Sequence, residues 1–139
     1  MTFWVHALDG DPSAYAMFRR HYSARKTKPK VRQFVGPGEK MVLVGWFCPA
    51  LFVWRKFIDD SGQTGVNCAV FRNESEHKAS DMIREAMDLA WERWGGARLY
   101  TSVNPEKIKS KNPGYCFKKA GWKKCGETAK GLHVLEFVP

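Results

Sequence analysis

GVNCAVFRNESEHKASDMIREAMDLAWERW, residues 65–94, is the stretch of sequence that decides the fold. Its first part, 65–72, is rich in valine and aromatic residues and predicts a central β-strand. The polar segment 73–78 follows. Over 81–94 the apolar residues then recur at intervals of three and four, which predicts an amphipathic helix. The stretch therefore predicts a strand–loop–helix unit.

The start of this helix is a candidate phosphate site. Ser80 is its predicted N-cap, and Lys78 lies beside it in the sequence. The first backbone N–H groups of a helix lack partners within the helix and carry partial positive charge, so phosphates bind there. An ordinary strand–helix connection is the other interpretation, because no glycine lies between Arg72 and Ser80.

Further elements surround this unit on both sides. The predicted elements are strands over 2–8, 41–46, 51–57, 98–103, 122–128 and 132–138, and helices over 14–21, capped by Ser13, and 115–120. The order is β-α-β-β-β-α-β-α-β-β, without an internal repeat or a linker. We therefore expect a single domain over 1–139, of the α/β (α+β) class, with a mixed sheet and helices on its faces.

The composition excludes disordered and membrane-spanning chains. The 139 residues are 44% hydrophobic and 14% aromatic, which suffices for a packed core. No apolar run approaches the roughly 18 residues that a membrane helix needs. The first residues lack the pattern of a signal peptide. We expect a cytoplasmic protein.

Positive charge is concentrated in two segments. The net charge is +9, and neither 19–32 nor 107–124 contains an acidic residue. This pattern indicates a polyanionic partner, either nucleic acid or a phosphate-rich cofactor, although a basic soluble surface is the plain alternative. The candidate nucleic-acid contacts are Arg20, Arg25, Lys26, Lys28, Lys30, Arg32, Lys109 and Lys111.

Cysteines and histidines give no sign of a metal site. Cys48, Cys68, Cys116 and Cys125 form no C-x-x-C pair and have no zinc-finger spacing. We expect reduced thiols, as in the cytosol, and a catalytic role for one of them is the alternative. No two histidines share a helix-face spacing, so no metal is expected.

His21 is a candidate base. Histidine has an ordinary pKa near about 6.5, and the basic residues around His21 favour its neutral form. A hydrogen-bonded core histidine is the equal alternative.

The C-terminal half resembles a known superfamily. Residues 99–104 are a predicted strand that ends in a polar residue, and the segment 112–122 contains the predicted short helix, with Phe117 four residues before Gly121-Trp122. This arrangement resembles the GNAT acyltransferases. The resemblance implies a mixed, mostly antiparallel central sheet and acetyl-CoA or a related acyl-CoA as donor. It also implies that the strand–loop–helix unit binds pyrophosphate and that separated strand ends bind pantetheine.

The resemblance also implies particular site residues. Those for the cofactor are Phe71, Arg72, Lys78, Ala79, Ser80 and Phe117. Of the glycine-containing loop that the family has near 74–79, only Ala79 fits. The family's proton-donating tyrosine falls on Phe117, which cannot donate a proton, and Tyr115 is the substitute candidate.

A narrower resemblance points to DNA. Arg20-His21-Tyr22-Ser23, the Pro29-containing loop and 114–122 resemble the phage Mom-type proteins, GNAT-like enzymes that modify adenine in phage DNA. It implies a role for His21 and places Asn104 where the family has an aspartate. The catalytic candidates are His21, Asn104 and Tyr115. A phage-encoded protein of this kind acts in the cytoplasm of a bacterial host.

Three functional hypotheses follow. The first is a GNAT-type transferase that adds an acyl-type group to an amine, on a DNA base. The second is the same chemistry on a protein lysine or a small amine, and the third is a non-catalytic nucleic-acid- or protein-binding protein. Aromatic residues that could stack on a base, most of them expected in the core, are Trp46, Trp54, Tyr100, Tyr115 and Trp122. The oligomeric state stays open.

Overall fold

The structure is a computed structural model that describes residues 2–21, 33–58, 62–107 and 112–139. The elements within these ranges follow the predicted order. They are β1 (Trp4–Ala7), α1 (Pro12–Arg19), β2 (Glu39–Gly45), β3 (Ala50–Lys56), β4 (Val66–Asn73), α2 (Ala79–Arg93), β5 (Leu99–Val103), α3 (Tyr115–Lys119), β6 (Lys123–Glu127) and β7 (His133–Phe137). In the part of the chain that the structure describes, no helix has the length and apolar character needed to cross a bilayer.

The strands form a single sheet. Their spatial order is β1-β2-β3-β4-β5-β7-β6. All neighbouring strands are antiparallel except β4 and β5, which run parallel. Helix α2 connects these two, because a parallel pair needs a crossover. The chain thus has an α+β fold with a mixed, mostly antiparallel sheet, and the predicted fold class is confirmed.

The core lies on both faces of β3. Residues 50–54 are buried without alternation, as expected for a strand covered on both sides. Phe52 and Trp54 belong to the larger cluster with α2, and the Trp54 indole N–H donates to the Ala86 carbonyl at 2.8 Å. Leu51 and Val53 belong to the smaller cluster with α1. The two helices therefore cover opposite faces of the sheet.

The carboxyl ends of three strands meet at one end of the sheet. Register pairs place Trp4 beside Gly45, Ala50 beside Asn73 and Val103 beside His133. The carboxyl ends of β2, β4 and β5 therefore lie together, and we call this the site end of the sheet. The segments after β1 and β3 lie at the opposite end.

Both predicted N-caps are wrong. Helix α1 is capped by Asp11, whose carboxylate accepts from the Ala14 N–H at 3.0 Å. Pro12 occupies the first helical position, where its missing N–H costs nothing, so Ser13 lies inside the helix. Helix α2 begins at Ala79, earlier than predicted, with Lys78 in the cap position. Ser80 is therefore helical and buried, and it cannot act as a cap.

Candidate functional site

β4 and β5 separate towards the site end of the sheet. They pair at three positions, the last of which joins Cys68 to Thr101. β4 then continues to Asn73 and β5 to Val103 without further pairing between them. At the apex of the opening, the Thr101 hydroxyl donates to the Cys68 carbonyl at 2.9 Å. The separated strand edges offer backbone donors and acceptors to a ligand that lies extended between them.

A cavity of about 340 Å³ occupies this opening. β4 lines it with 68–71 and β5 lines it with 101–103. Asn112 and 114–117, at the start of α3, form another wall, and His21 completes the lining. A cavity of this size and mixed lining is typical of a small-molecule site.

His21 reaches this cavity from just beyond α1. The predicted helix included it, but α1 ends at Arg19, and the backbone N–H of His21 donates to the Phe18 carbonyl at 2.9 Å. Its side chain is half-buried and makes a hydrogen bond to the backbone of Phe71. The C-terminal end of α1 thus positions an imidazole against β4.

Burial keeps the His21 imidazole neutral. Desolvation is the largest cause, and the positive charge of Arg72 adds to it; together they lower the pKa of His21 from 6.5 to about 4. The backbone hydrogen bond to Phe71 opposes the shift. At neutral pH the ring therefore has one N–H and one lone pair. The neutral form agrees with the sequence analysis, but burial rather than neighbouring charge is its main cause.

Three charged side chains hold this end of α1 against β4. Glu74 accepts two hydrogen bonds from the Arg20 guanidinium, at 2.8 and 3.0 Å, and one from Arg72. Arg72 also donates to the backbone carbonyl of Arg20 at 2.7 Å. The two guanidinium groups lower the pKa of Glu74 to about 2. We call these three residues the arginine–glutamate cluster; it fixes the residue that precedes His21.

The thiols of the cavity are not nucleophiles at neutral pH. Burial raises the pKa of Cys68 far above its ordinary value, and it also raises the pKa of Cys116. The thiolate is the reactive form, so neither group attacks a substrate readily. All four cysteines are described, and none of them is disulfide-bonded.

The start of α3 carries Tyr115 into the wall of the cavity. Gly114 precedes it at a φ of 77°, where a Cβ would lie 2.2 Å from a methyl carbon of Leu135. Tyr115 is 52% exposed and lines the cavity. Phe117 also lines it, but its ring is buried and packs edge-to-face on Phe71 and Trp122. Tyr115 is thus the residue of α3 that offers a hydroxyl.

Asn104 does not reach the cavity, so its predicted catalytic place is not supported. Its side-chain oxygen accepts from the Glu106 N–H at 3.0 Å and shapes the turn after β5. Asn112 lines the cavity instead, with its carboxamide oxygen bound by the Lys118 ammonium at 2.6 Å. Sequence reasoning also missed Thr101 and Ser102, two consecutive hydroxyl residues near the end of a predicted strand, although this signal was available.

The loop that leads to the predicted pyrophosphate site is hydrogen-bonded within itself, whereas the start of α2 has no side-chain cap. The Asn73 carboxamide oxygen accepts from the Ser75 N–H at 2.9 Å, and the Ser75 hydroxyl accepts from the His77 N–H at 3.2 Å. The Glu74 N–H donates to the Pro49 carbonyl. Of the predicted cofactor residues, Phe71 and Phe117 line the cavity, Arg72 lies in the arginine–glutamate cluster, Ala79 is partly buried at the start of α2, Lys78 is exposed and Ser80 is buried.

The basic residues divide into described and undescribed sets. Arg20 belongs to the arginine–glutamate cluster. The other predicted nucleic-acid contacts lie outside the described residues: Arg25, Lys26, Lys28, Lys30, Arg32, Lys109 and Lys111. In sequence, these two segments are flanked by the cavity residues His21 and Asn112. Among the described ranges, no group of three or more His, Cys, Asp or Glu is placed to hold a metal ion.

Comparison of the chain with models of known protein families and with curated proteins found no match.

Proposed function

We propose that the protein is a GNAT-type transferase that places an acyl-type group on an amine of a nucleic-acid base. One observation carries the proposal: a neutral His21 imidazole lines a cavity that lies between two parallel strands as they separate. The resemblance to the GNAT superfamily assigns the acyl arm of the donor to such an opening. The catalytic assignments are His21 as base and Tyr115 as acid.

His21 serves as the proton acceptor. The amine nitrogen attacks the carbonyl carbon of the donor, a C–N bond forms, and the nitrogen becomes strongly acidic. The ring nitrogen of His21 that bears the lone pair then takes the proton, and the bond to the leaving group breaks. A base with a pKa of about 4 suffices for this late proton transfer. The net change is exchange of the acyl group between donor and amine.

The low pKa of His21 favours the exocyclic amine of a nucleobase over a lysine amine as the acceptor. A lysine amine has a pKa near about 10.4 and reaches the site protonated, so it needs a strong base before it can attack. The exocyclic amine of a nucleobase is uncharged at neutral pH and needs no such step. The positive charge of Arg72 beside His21 also opposes a cationic substrate.

Tyr115 is placed to protonate the leaving group. Its side chain is part of the cavity wall, and its phenol can donate a proton. Phe117, at the position that the family resemblance assigns to tyrosine, packs into the core and has no proton to give.

The structure fits one part of an acyl-CoA donor better than the other. An extended arm with amide groups fits the separated edges of β4 and β5. The loop 73–78 offers few free N–H groups to a pyrophosphate, because those of Glu74, Ser75 and His77 already donate to Pro49, Asn73 and Ser75. We therefore propose an activated acyl donor that is held mainly by its extended arm.

Transfer of radiolabelled acetyl groups tests the proposal. Acetyl-CoA and acetyl-pantetheine, which lacks the pyrophosphate, are each offered with DNA or with a lysine-rich peptide. Label should enter DNA, with a similar KM for both donors. His21→Ala should lower kcat by about 100-fold or more. His6→Ala, at an exposed histidine on β1, should leave it unchanged.

Other outcomes contradict specific parts of the proposal. Label in the peptide but not in DNA means that the acceptor is a lysine. An unchanged rate in His21→Ala would show that His21 is not the proton acceptor. No transfer from either donor removes the acyltransferase function.

A second candidate is a non-catalytic nucleic-acid-binding protein. The closed loop 73–78 favours it, because a protein that keeps the fold without a donor has no need of an open phosphate loop. In that case the protein binds DNA with an affinity that falls steeply with salt, and no acyl transfer is detected. His21→Ala then leaves the affinity for DNA unchanged.

A further inference from the structure

The turn between β2 and β3 presents two exposed aromatic side chains. Trp46 is 53% exposed and Phe47 is 89% exposed. Their rings meet edge-to-face, with centroids 4.4 Å apart. The other five tryptophans, all within the described residues, are buried or partly buried in the core. We call Trp46 and Phe47 the aromatic tip; such exposed apolar pairs mark interaction sites.

The aromatic tip is held in a fixed conformation. Phe47 has a φ of 54°, which is rare for a bulky side chain and persists only where the surroundings impose it. The Trp46 N–H donates to the Phe3 carbonyl at 2.7 Å. Gly45 allows the tight approach, since a Cβ there would lie 2.1 Å from the Cys48 carbonyl oxygen. The surrounding backbone therefore imposes the conformation from which the two rings project, at a cost in backbone strain.

The aromatic tip lies at the same end of the sheet as the candidate site. The Pro49 carbonyl, in the same turn, accepts from the Glu74 N–H at 2.9 Å. Glu74 binds Arg20 and Arg72 in the arginine–glutamate cluster, and His21 follows Arg20. Arg20 also lines a surface groove together with residues 44–45 and 48–50 of the turn. A chain of hydrogen bonds through Pro49, Glu74 and Arg20 thus connects this turn with the residue that precedes His21.

From this arrangement we infer that the aromatic tip is a wedge that inserts between stacked bases of duplex DNA, next to the nucleotide that enters the cavity. The inference rests on the proposed function. A base in a duplex must leave the stack before chemistry can reach its amine, and apolar side chains that enter a base step lower the cost of this unstacking. Arg20 lines the groove beside this turn, and the net charge of +9 favours binding of the phosphates.

Charge selects the duplex over a second copy of the chain. The net charge is +9, and residues 19–32 contain seven basic and no acidic residues. Two copies of a chain with this net charge repel each other, whereas a duplex supplies the opposite charge. A membrane surface also carries negative charge, and the experiment below separates it from DNA.

A duplex with 2-aminopurine beside the target base tests the wedge. Wild-type protein should raise the 2-aminopurine fluorescence, because the base becomes unstacked. Trp46→Ser/Phe47→Ser should abolish this rise and weaken duplex binding by about tenfold, while binding of the same strand alone changes less. Leu8→Ser/Ile58→Ser is the matched control. It removes two residues that are 82% and 94% exposed at the opposite end of the sheet, and it should behave as wild type.

Acrylamide quenching of tryptophan fluorescence gives an independent measurement. Trp46 is the most exposed tryptophan, so the quenchable fraction reports on it, and duplex DNA should protect it. Protection by phosphatidylglycerol vesicles but not by duplex would overturn the wedge in favour of a membrane contact. If wild type binds duplex and the tip variant matches it in both assays, the wedge is wrong while the proposed function stands. If wild type binds no DNA, the DNA-directed proposed function is wrong, and the wedge that rests on it is wrong as well.

Discussion

The hydroxyl of Thr101 and the backbone carbonyl of Cys68 form a hydrogen bond of 2.9 Å across the last paired position of β4 and β5. Both residues are buried. Beyond this bond the two strands separate and the cavity begins. One side chain of β5 therefore fixes where pairing stops and where the candidate site starts.

Thr101→Val should destabilise the protein and loosen the apex of the cavity. Valine keeps the shape of threonine but removes the donor, which typically costs about 1 kcal/mol of unfolding free energy at a buried position. Urea unfolding measures this change, and KM for the donor should rise. Thr64→Val, at an exposed threonine before β4, is the control and should change neither quantity.

His21 should make the protein less stable as the pH falls from 6.5 to 4. The folded pKa of about 4 lies below the value of 6.5 in the unfolded chain, so within this window the unfolded chain binds a proton that the folded chain does not. Unfolding free energy should fall by about 2 kcal/mol across the window and level off below it. Parallel pH profiles for wild type and His21→Gln would contradict this assignment.

Arg72→Met should raise the pKa of His21. The positive charge of Arg72 lowers that pKa, and methionine keeps the apolar stem without the charge. Desolvation remains, so the new pKa should stay below 6.5. An NMR titration of the imidazole resonances measures the shift. Arg55→Met, whose guanidinium stacks on Phe57 at the opposite end of the sheet, should leave the resonances of His21 where they are.

Gly114→Ala should disturb the start of α3 more than Gly96→Ala disturbs the end of α2. The two glycines have similar φ values, 77° and 70°, so the backbone strain is matched. At Gly114 the new Cβ would meet Leu135, while nothing lies within 4 Å of the Cβ at Gly96. The difference in unfolding free energy, about 1–3 kcal/mol, isolates the steric contact. Equal losses in the two variants would show that the contact relaxes freely.

Tyr115→Phe should lower kcat without changing stability. The variant loses only the phenol, on a side chain that is 52% exposed. If Tyr115 protonates the leaving group, a donor with a more acidic leaving group should restore most of the rate. A rate loss that is the same for all donors would instead assign Tyr115 to binding.

The order of elements was predictable because its signals are local. The apolar spacing of 81–94 and the glycines that follow it depend on neighbouring residues only, and α2 occupies nearly that range. The cap of α1 also had a local signal, because proline favours the first helical position and so marks the residue before it as the cap. Asp11 and Ser13 are both good caps, and the choice between them depends on how Pro12 enters the helix.

The site was predictable only in part, because it is assembled from distant segments. His21 and Tyr115, two of the three catalytic candidates, both line the cavity, and their catalytic roles stay predictions. Asn104 and Asn112 are both plausible polar residues, and only the path of the chain between β5 and α3 decides which one reaches the cavity. The closure of the loop by Asn73 likewise depends on side-chain directions that a sequence pattern does not contain.

The brief pairing of β4 with β5 has a consequence for folding. A parallel pair joined through a whole helix closes a long loop, and that entropy must be spent before the contact forms. We therefore expect the pairing of β4 with β5 to form late in folding and to open first. Backbone amides of β5 should then exchange with solvent sooner than those of the buried strand β3. A ligand bound between β4 and β5 would link the two parts of the sheet. Slower amide exchange in β5 and β7 would then report its binding without any assay of turnover.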